Sequence, residues 1–512
     1  MLTKVLSASH FGLKTVPIDV EVNVTKRGFP SFNIIGLPDK SVEEAKERVK
    51  TAIVNSGIDF PEAKIIVNLA PADIPKEGSC FDLPIAIGIL ASLEIVNLPS
   101  EKSFFYGELS LDGEVRHTKG VFILALAAKE LSIKNVFIPS VSANEAACVK
   151  GLKVFPVNSL KSLISHLNKE HIIKPLLKSD FGKDFDFDLP EFDFSEILGQ
   201  EQAKRALTIA ASGGHNIFMQ GPPGAGKTML ARALPGILPP LTQEESLEVS
   251  RIYSITGNIP PGGSLIRVRP FRSSHHTISR VGLIGGGSNP HPGEISLAHR
   301  GVLFLDEFPE FPRGVLEALR QPLEDGEVSI ARAAGSVKYP CDFMLVASAN
   351  PCPCGYLGDT KKVCKCSPRQ IMKYTGKLSG PLMDRIDIHI NVPAVDVEKL
   401  IWGKLELKKE SSRSLMTRVK LARGLQGRRF TGTRIYTNAS MRNRDIQRFC
   451  KIEPKALSLL KQAVNNFGLS ARTYFRLIKV SQTISDLASD SSIKEEHVAE
   501  SLQYRIRIQE TN

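Results

Sequence analysis

Apolar residues along the first part of the chain follow two different periods. Alternation of apolar and polar residues over Asp19–Val24 (DVEVNV) and Lys64–Leu69 (KIIVNL) predicts β-strands, whose successive side chains point to opposite faces. Helical spacing over Ser41–Ser56 and Val121–Leu131 predicts amphipathic helices. Because strands and helices are mixed, we predict an α/β or α+β domain over residues 1–168.

A second block, over residues 195–395, alternates short apolar runs with glycine-rich turns and helical segments. That order is typical of an α/β fold with a parallel sheet and crossover helices. Residues 169–194 separate the two blocks, and within them 180–193 (DFGKDFDFDLPEFD) alternate acidic residues with phenylalanine. We interpret this stretch as a linker that is either disordered or held by its phenylalanines on a neighbouring surface.

The third block, residues 396–512, is predicted to be mostly helical, and its clearest helix runs from near Ser470 to about Leu487. The net charge of +12 lies almost entirely in this block: from Ile401 onward 22 Lys or Arg stand against 10 Asp or Glu, and residues 1–400 balance to about zero. Such a region suits a phosphate-backbone partner, but a solvated helical surface has the same composition. Charge alone does not separate the two.

The sequence gives no indication of a membrane span, a secretion signal or a disulfide framework. The longest apolar run, Leu83–Leu93, is interrupted by Pro84 and is shorter than the roughly 18 residues that a membrane span needs. The N-terminus has no long apolar stretch with a cleavage site, so we expect a cytoplasmic protein without a membrane partner. Eight cysteines in such a chain do not indicate a disulfide framework.

The strongest motif follows the apolar run Asn216–Gln220, where GPPGAGKT precedes the helical segment MLARAL. Strand, loop and helix in this order are the context of a phosphate-binding P-loop, whose glycines aim backbone N–H groups at phosphate oxygens. Lysine reaches the β- and γ-phosphates and the hydroxyl holds magnesium. We therefore predict an ATP site formed by Gly221, Pro222, Pro223, Gly224, Ala225, Gly226, Lys227 and Thr228.

Two further strands end in polar residues. The run GVLFLDE predicts a buried strand over 302–305 that delivers Asp306, suited to magnesium, and Glu307, suited to polarising the attacking water. A third run over 343–348 leads to Asn350, whose amide suits positioning of that water. Taken singly, these residues are also common in caps and turns, but their order after a P-loop favours catalysis.

The order of these motifs, together with GPLMDRIDIHI (380–390) and LSARTYFRLIKV (469–480), resembles the magnesium-chelatase-like AAA+ proteins. The closest resemblance is to the YifB/ComM group, bacterial proteins linked to DNA uptake and recombination. It implies an AAA+ P-loop core over 195–395 and a basic helical C-terminal lid domain over 396–512.

The resemblance also implies roles for two arginines. Arg385, in DRID, matches the arginine finger that enters the ATP site of the neighbouring subunit. Arg472, in SAR, matches the sensor arginine that the lid folds over the nucleotide. A guanidinium supplied in this way stabilises the charge on the γ-oxygens in the transition state. A surface salt bridge is the alternative for either residue. A finger acting in trans implies a homo-oligomeric ring, which we expect to be a hexamer.

The segment 255–300 resembles the hairpin that this clade projects toward the pore of the ring. It contains the neighbours His275 and His276, which we do not interpret as metal ligands. We expect them to lie in a strand and hence to point to opposite faces. A structural role or a DNA-facing role is favoured for them.

Four cysteines, Cys352, Cys354, Cys364 and Cys366, form the pattern C-x-C-x9-C-x-C. Four thiolates form a common closed, structural zinc site, which leaves no position open for catalysis. We therefore predict a zinc-binding insert over 352–366, with four packed free thiols as the alternative. The segment 352–377 also holds six Lys or Arg against one Asp, which suits a phosphate backbone.

The N-terminal domain resembles the proteolytic domain of Lon-type proteases, with a ribosomal-protein-like α+β fold, over residues 67–90 and 107–139. Cys80 occupies the nucleophile position of that family, with Ser79 beside it, and Asp82 replaces a glycine. The position of the catalytic lysine falls among the apolar residues 122–124, so the nucleophile has no base to activate it. We expect a proteolytically inactive domain that serves ring assembly or DNA contact.

Three functions are compared on this basis. The first is an ATP-hydrolysing motor on single-stranded or branched DNA, in the form of a branch-migration helicase for recombination and natural transformation, as the family resemblance implies. The alternative is the ATPase subunit of magnesium chelatase, which serves metal insertion into protoporphyrin but does not usually carry a Lon-like domain. A non-enzymatic scaffold is disfavoured, because every residue that hydrolysis needs is present. The expected cofactors are ATP, magnesium and structural zinc.

Overall fold

The computed structural model describes residues 2–26, 28–176, 191–259, 262–287, 290–332, 335–359, 362–394 and 410–505. Residues 177–190 of the predicted linker lie outside the described residues, as do 396–409 and 506–512 of the predicted C-terminal domain.

The N-terminal part combines a mixed sheet with helices. Its strands are β1 Leu2–Phe11, β2 Lys14–Thr25, β3 Ser31–Ile35, β4 Lys64–Ala70, β5 Ser103–Phe105, β6 Glu108–Leu109, β7 Val115–Arg116, β8 Asn135–Pro139 and β9 Lys153–Val157. Its helices are α1 Lys40–Asn55, α2 Asp82–Ser92, α3 Val121–Glu130, α4 Ala143–Ala147 and α5 Leu160–Leu167. The seven-stranded sheet has the order β3-β4-β2-β1-β5-β8-β9, and β6 pairs with β7 separately.

Both predicted strands and both predicted helices are observed in this part. Along β2, Ile18, Val20 and Val22 are buried, as the alternating pattern predicts. Helix α1 begins after Asp39, whose carboxylate accepts from Val42 N at 2.8 Å and caps the helix.

The described residues of the middle part form nine strands: β10 Ile217–Gln220, β11 Phe271–Ser274, β12 Gly285–Gly286, β13 His291–Pro292, β14 Val302–Leu305, β15 Glu327–Arg332, β16 Gly335–Pro340, β17 Met344–Ala349 and β18 Ile388–Asn391. Its helices are α6 Glu201–Gly213, α7 Lys227–Ala233, α8 Gln243–Thr256, α9 Arg280–Ile284, α10 Glu294–Leu297, α11 Arg313–Ala318, α12 Arg320–Asp325, α13 Pro368–Thr375 and α14 Gly380–Met383. The main sheet is parallel throughout, in the order β11-β14-β17-β10-β18.

Both faces of this parallel sheet are covered, which explains why its strands are continuous apolar runs. In β14, Val302 and Phe304 belong to the core on one face, while Leu303 and Leu305 belong to the core on the other. The predicted α/β architecture is therefore confirmed, and the sheet places the carboxyl ends of β14, β17 and β10 side by side.

The segment predicted as a pore hairpin is mostly irregular. Between 255 and 300, the described residues form an antiparallel pair of only two residues a side, β12 with β13, flanked by the short helices α9 and α10. Its projection toward a pore stays a prediction.

The C-terminal part is helical as predicted, with α15 Ser412–Arg429, α16 Asn443–Phe449, α17 Pro454–Phe467, α18 Ala471–Leu487 and α19 Glu495–Gln503. Helix α18 begins after Ser470, whose hydroxyl accepts from Thr473 N at 3.3 Å. It packs against α19, α6 and α15, so the C-terminal part rests on the middle part. Among the described helices, none combines the length and the apolar composition that crossing a membrane requires.

The N-terminal part also contacts the middle part. Phe11 and Leu13, at the turn between β1 and β2, pack against a core cluster of the middle part. Backbone hydrogen bonds join Gly120 N to Ser254 O at 3.0 Å and Gly262 N to Val141 O at 2.6 Å. The N-terminal and middle parts are therefore in direct contact. The predicted domain limits stay predictions.

Candidate nucleotide site and four-cysteine cluster

Strand β10 leads directly into the predicted P-loop. Gly221 N donates to Ala349 O at 3.1 Å, so the loop starts beside the carboxyl end of β17. Gly224 and Gly226 adopt left-handed φ angles of 76° and 86°, which only glycine adopts without strain, and helix α7 begins at Lys227. The predicted strand, loop and helix are therefore all observed.

The ammonium group of Lys227 is surrounded by oxygens. Its Nζ donates to Gly221 O at 2.7 Å, to Pro222 O at 2.9 Å and to Asn350 Oδ1 at 3.1 Å. The side chain is buried, and burial lowers the pKa of Lys227, although Asp306 and Glu307 oppose that shift. Its three hydrogen-bond partners are neutral oxygens, so an anionic phosphate can bind the ammonium group without displacing a carboxylate. Lys227 and Asn350, predicted from separate motifs, lie in direct contact.

The predicted magnesium residues also meet. Thr228 Oγ1 donates to Asp306 Oδ2 at 2.8 Å, and Ser348 Oγ bonds to the other carboxylate oxygen of Asp306. Hydroxyl and carboxylate oxygens are the donors that magnesium prefers, so these residues fit the ion. No sequence motif singles out Ser348. Leu305 pairs with Ala347 in the parallel register, so the next residues of the two strands, Asp306 and Ser348, lie side by side. Knowledge of the strand order would have identified Ser348.

Glu307 lies beside Asp306 with its carboxylate half exposed. Its φ of 52° is left-handed, and its Oε2 lies 3.4 Å from His276 Nδ1. The sequence motifs do not pair His276 with Glu307. The two residues meet because strand β11 runs beside β14, where Ser274 pairs with Leu305. The expectation that His275 and His276 point to opposite faces is wrong, because their rings lie only 4.0 Å apart. Strand β11 ends at Ser274, so its alternation does not extend to the two histidines.

Gln200, which no sequence motif singles out either, also supports the P-loop. Gln200, buried at the start of α6, donates through Nε2 to Ala225 O at 3.2 Å and to Pro393 O at 2.8 Å. It thereby ties the P-loop to the segment after β18. No local pattern marks this glutamine, since its two partners are distant in sequence.

The two predicted arginines lie at the other edge of the sheet, where the strands begin, whereas the P-loop lies where they end. Asn216, which precedes β10, donates to Arg385 O at 3.1 Å, whereas the P-loop follows the end of β10. Four residues of strand separate these edges by about 13 Å. The guanidinium of Arg385 bonds to Glu324, and Arg472 Nη2 lies 3.8 Å from the same carboxylate. The structure therefore brings the two arginines together, but away from the P-loop of their own chain.

The position of the two arginines can be compared with the finger role predicted for Arg385 and the sensor role predicted for Arg472. For Arg385 it agrees with the expected action on a neighbouring subunit, which stays a prediction. For Arg472 the predicted role, a sensor arginine that the helical lid folds over the nucleotide, also stays a prediction, and in the single chain this residue lies beside the carboxylate that Arg385 binds. The hydrogen bond from Arg385, with the nearby charge of Arg472, holds the pKa of Glu324 below its usual value.

The four predicted cysteines converge on one point. Their Sγ atoms all lie within 4.8 Å of one another, and three of the pairs are 3.4 Å (352 to 354), 3.6 Å (352 to 364) and 3.6 Å (354 to 364) apart. Tetrahedral zinc with Zn–S bonds of about 2.3 Å requires S···S separations of about 3.8 Å. The donor set and its spacing therefore fit zinc, while the ion itself stays a prediction.

The turn that resembles a protease nucleophile has different chemistry. Cys80 is buried, and burial raises the pKa of its thiol to about 12, so it carries almost no thiolate. Ser79 Oγ bonds to Glu108, and Asp82 accepts from Arg48 Nε at 2.7 Å. The fully buried Lys76 donates to Pro71 O, not to Cys80. Among the described residues, Lys76 and Asp82 are thus engaged elsewhere and do not activate the Cys80 thiol, and the proteolytic inactivity of the domain stays a prediction.

Comparison with known proteins agrees with these features. Family models described as "Subunit ChlI of Mg-chelatase", "Magnesium chelatase, subunit ChlI" and "Magnesium chelatase, subunit ChlI C-terminal" match residues 20–142, 193–400 and 409–505. The 38 kDa subunit of magnesium chelatase from Rhodobacter capsulatus is 30% identical over 183 residues, which cover 32% of this chain and 51% of that protein.

Similarity to a second group extends over the whole chain. The competence protein ComM of Haemophilus influenzae is 42% identical over 518 residues, covering 99% of this chain and 98% of that protein. The protein YifB of Escherichia coli is 40% identical over 508 residues, covering 98% and 97%. The P-loop geometry, the parallel sheet and this similarity lead to one conclusion: the chain belongs to the YifB/ComM family of magnesium-chelatase-like AAA+ ATPases.

Proposed function

We propose that the protein is an ATP-driven motor that works as a ring on branched or single-stranded DNA, as a branch-migration helicase. One observation carries the proposal: Lys227, Thr228, Asp306 and Asn350 converge at the carboxyl ends of three adjacent parallel strands. The DNA part is supported by the family, in which the Haemophilus relative is named a competence protein.

In the proposed reaction, the P-loop backbone and Lys227 hold the β- and γ-phosphates of ATP. Thr228 and Asp306 would hold magnesium, which supplies charge neutralisation on the phosphate oxygens when bound. Glu307 accepts a proton from water and Asn350 orients that water in line with the γ-phosphate. His276, whose Nδ1 lies 3.4 Å from Glu307 Oε2, would help to orient this carboxylate toward the water.

We further propose that Arg385 and Arg472 both serve the ATP site of the neighbouring subunit. They share Glu324 at the edge of the sheet opposite the P-loop, so one chain presents an ATP site at one edge and two guanidinium groups at the other. Head-to-tail packing of identical chains would bring these edges together and would close a ring. In such a ring, γ-phosphate oxygens replace Glu324 as the partner of the guanidinium groups.

A basic strip on the C-terminal part is our candidate DNA contact. Helix α16 and its surroundings expose five cations within 14 positions, whereas the two acids of that stretch, Asp445 and Glu453, are half-buried. A group of exposed cations that is close in sequence and poor in exposed acids suits a phosphate backbone. The strip consists of Arg442, Arg444, Arg448, Lys451 and Lys455.

The first experiment measures ATP turnover by the purified protein with no DNA, with single-stranded DNA and with forked DNA. We expect turnover that DNA stimulates and that Lys227→Ala abolishes. Turnover that is indifferent to DNA, but rises with the partner subunits of magnesium chelatase, would instead support the chelatase alternative. The short match to the Rhodobacter subunit gives that alternative less support than the full-length match gives the motor.

The second experiment tests the strip by fluorescence anisotropy of labelled forked DNA. The combined variant Arg442→Ala, Arg444→Ala and Arg448→Ala should weaken binding and reduce the slope of log affinity against log salt by about 2 to 3. Its matched control replaces three exposed lysines of the N-terminal part, Lys134, Lys150 and Lys153, by alanine. Equal slopes for the two variants would remove the strip from the proposal.

We also propose that the four-cysteine cluster holds one structural zinc ion. Elemental analysis of the purified protein should give about one zinc per chain, lost in Cys364→Ser. Cys148→Ser, in the N-terminal part, is the control and should retain the metal. A wild-type chain that contains no zinc after purification without chelators would end this proposal.

A further inference from the structure

The four-cysteine loop lies directly against the P-loop. Gly355, inside the loop, approaches the ring of Pro223 so closely that a Cβ atom added to it would lie 2.5 Å from Pro223 Cδ and 2.6 Å from Cγ. The backbone of Gly355 is fixed to the cluster, because its N–H donates to Cys352 O at 2.9 Å. A displacement of the cysteine loop therefore reaches the phosphate-binding loop through this contact.

A second connection runs through Asn350. This residue holds Lys227 Nζ through its side chain, and only Pro351 separates it from Cys352, which is fully buried. The Cγ atom of Asn350 also lies 3.8 Å from the position of a Cβ on Gly355. Strand β17 restrains Asn350 on one side, and the first cysteine of the cluster restrains it on the other.

We infer that the metal of the four-cysteine cluster and the nucleotide are thermodynamically coupled through Asn350 and Pro223. Cys352 and Cys354 lie on one limb of the loop, Cys364 and Cys366 lie on the other, and a metal bound to all four joins the limbs. The joined loop holds Asn350 beside Lys227 and packs on Pro223, so zinc tightens nucleotide binding. By linkage, the nucleotide tightens zinc binding by the same factor. This inference rests on the proposed ATP and zinc sites.

The contact itself can be tested without removing the metal. Gly355→Ala introduces a methyl group against Pro223, and Gly358→Ala is a matched control in the same loop. Both positions have left-handed φ angles, 84° and 76°, but a Cβ on Gly358 meets nothing within 4 Å. Backbone strain is therefore similar in the two variants, and only Gly355→Ala disturbs the P-loop.

We expect both variants to retain about one zinc per chain. Gly355→Ala should bind a fluorescent non-hydrolysable ATP analogue roughly tenfold more weakly than wild type, a factor within the usual range for coupled sites. Gly358→Ala should stay within about twofold of wild type. Equal affinities of the two variants, with zinc present in both, would overturn the inference.

The reverse effect is measured on the unmodified protein, so the test survives if Gly355→Ala does not fold. The rate of zinc transfer to a chromogenic chelator is followed with and without the magnesium complex of the non-hydrolysable ATP analogue. We expect transfer to be about tenfold slower with the nucleotide present, and unaffected by it in Lys227→Ala. An unchanged rate in the wild-type protein, at saturating nucleotide, contradicts the coupling.

The possible outcomes distinguish a failure of the coupling from a failure of the proposed ATP site or zinc site. A wild-type protein that binds zinc but no ATP analogue refutes the nucleotide site, and one that binds the analogue but no zinc refutes the metal site. A protein that binds both ligands, each without effect on the other, refutes only the coupling.

Discussion

Two turns of this molecule, the N-terminal turn before α2 and the P-loop before α7, carry reactive side chains. Their charged groups differ in whether an opposite charge contacts them. In the N-terminal turn, Asp82 is neutralised by Arg48 and Cys80 is buried as a thiol. In the P-loop, the ammonium group of Lys227 contacts only neutral oxygens among the described residues. A turn whose charges are paired internally has no charge left for a ligand, whereas an ammonium group that contacts only neutral oxygens favours an anion. Similar turns in one chain therefore differ in function.

The largest expected effect concerns the arginine that we assign to the neighbouring ATP site. Arg385→Ala should lower ATP turnover about a thousandfold and leave nucleotide affinity nearly unchanged, because an arginine finger stabilises mainly the transition state. Turnover is measured at saturating ATP, and affinity is measured with a non-hydrolysable analogue.

Mixing two inactive variants separates action in trans from action in cis. A ring of Arg385→Ala and Lys227→Ala subunits contains some interfaces that combine an intact P-loop with an intact arginine. We expect mixing to restore part of the turnover, which neither variant shows alone. No recovery in rings that are shown to contain both variants would place Arg385 outside the neighbouring site.

A smaller effect is expected for the residue that acts on water. Glu307→Gln should lower turnover about a hundredfold, because it removes the proton acceptor while keeping the shape of the side chain. Nucleotide binding should persist, which distinguishes this variant from Lys227→Ala. Glu310→Gln is the control, since Glu310 forms an exposed ion pair with Lys377 at 3.0 Å. Equal losses in the two glutamate variants would argue against Glu307 as the base.

Sequence alone predicted the elements of the ATP site well, because each was a local pattern. The apolar run over 302–305 became β14 with the same limits, and the motif from Gly221 to Thr228 became the loop before α7. Asn350 was predicted from its order after two other motifs, and it contacts Lys227. Local patterns suffice where the chemistry follows directly from strand ends.

The rest depended on which strands are neighbours, and the sequence does not state that order. Ser348 and His276 reach Asp306 and Glu307 because β17 and β11 flank β14. The shared contact of Arg385 and Arg472 with Glu324 joins residues more than 60 positions apart. The histidine pair was wrongly assigned to opposite faces because the strand was expected to be longer than it is.

In the N-terminal turn, the internal ion pair should matter for stability and not for turnover. Asp82→Ala leaves the guanidinium of Arg48 without its bidentate partner in a largely buried position, at 2.7 Å and 3.0 Å in the wild type. We expect a loss of about 2 kcal/mol in the free energy of unfolding, below the range for fully buried pairs because Arg48 keeps some exposure. Urea unfolding of the N-terminal part measures this.

The control for that variant uses another carboxylate near Arg48. Glu44 lies 3.7 Å away and is largely exposed, so Glu44→Ala should change the free energy of unfolding by less than about 0.5 kcal/mol. ATP turnover per folded molecule should be unchanged in both variants. A large loss of turnover in Asp82→Ala would mean that the N-terminal turn takes part in the ATPase cycle.

The smallest effect is expected at the residue that most resembles a nucleophile. Cys80→Ala should cost about 1 kcal/mol of stability, because it removes one buried sulfur, and should leave ATP turnover unchanged. In the native protein, the pKa of about 12 leaves a thiolate fraction near 10⁻⁴ at pH 8, so thiol reagents should modify Cys80 only after unfolding. Mass spectrometry of protein labelled before and after urea addition measures this. Rapid labelling of native Cys80 would show a reachable thiolate, and the contrast between a closed turn and an open one would then fail, since both turns would present a reactive group to solvent.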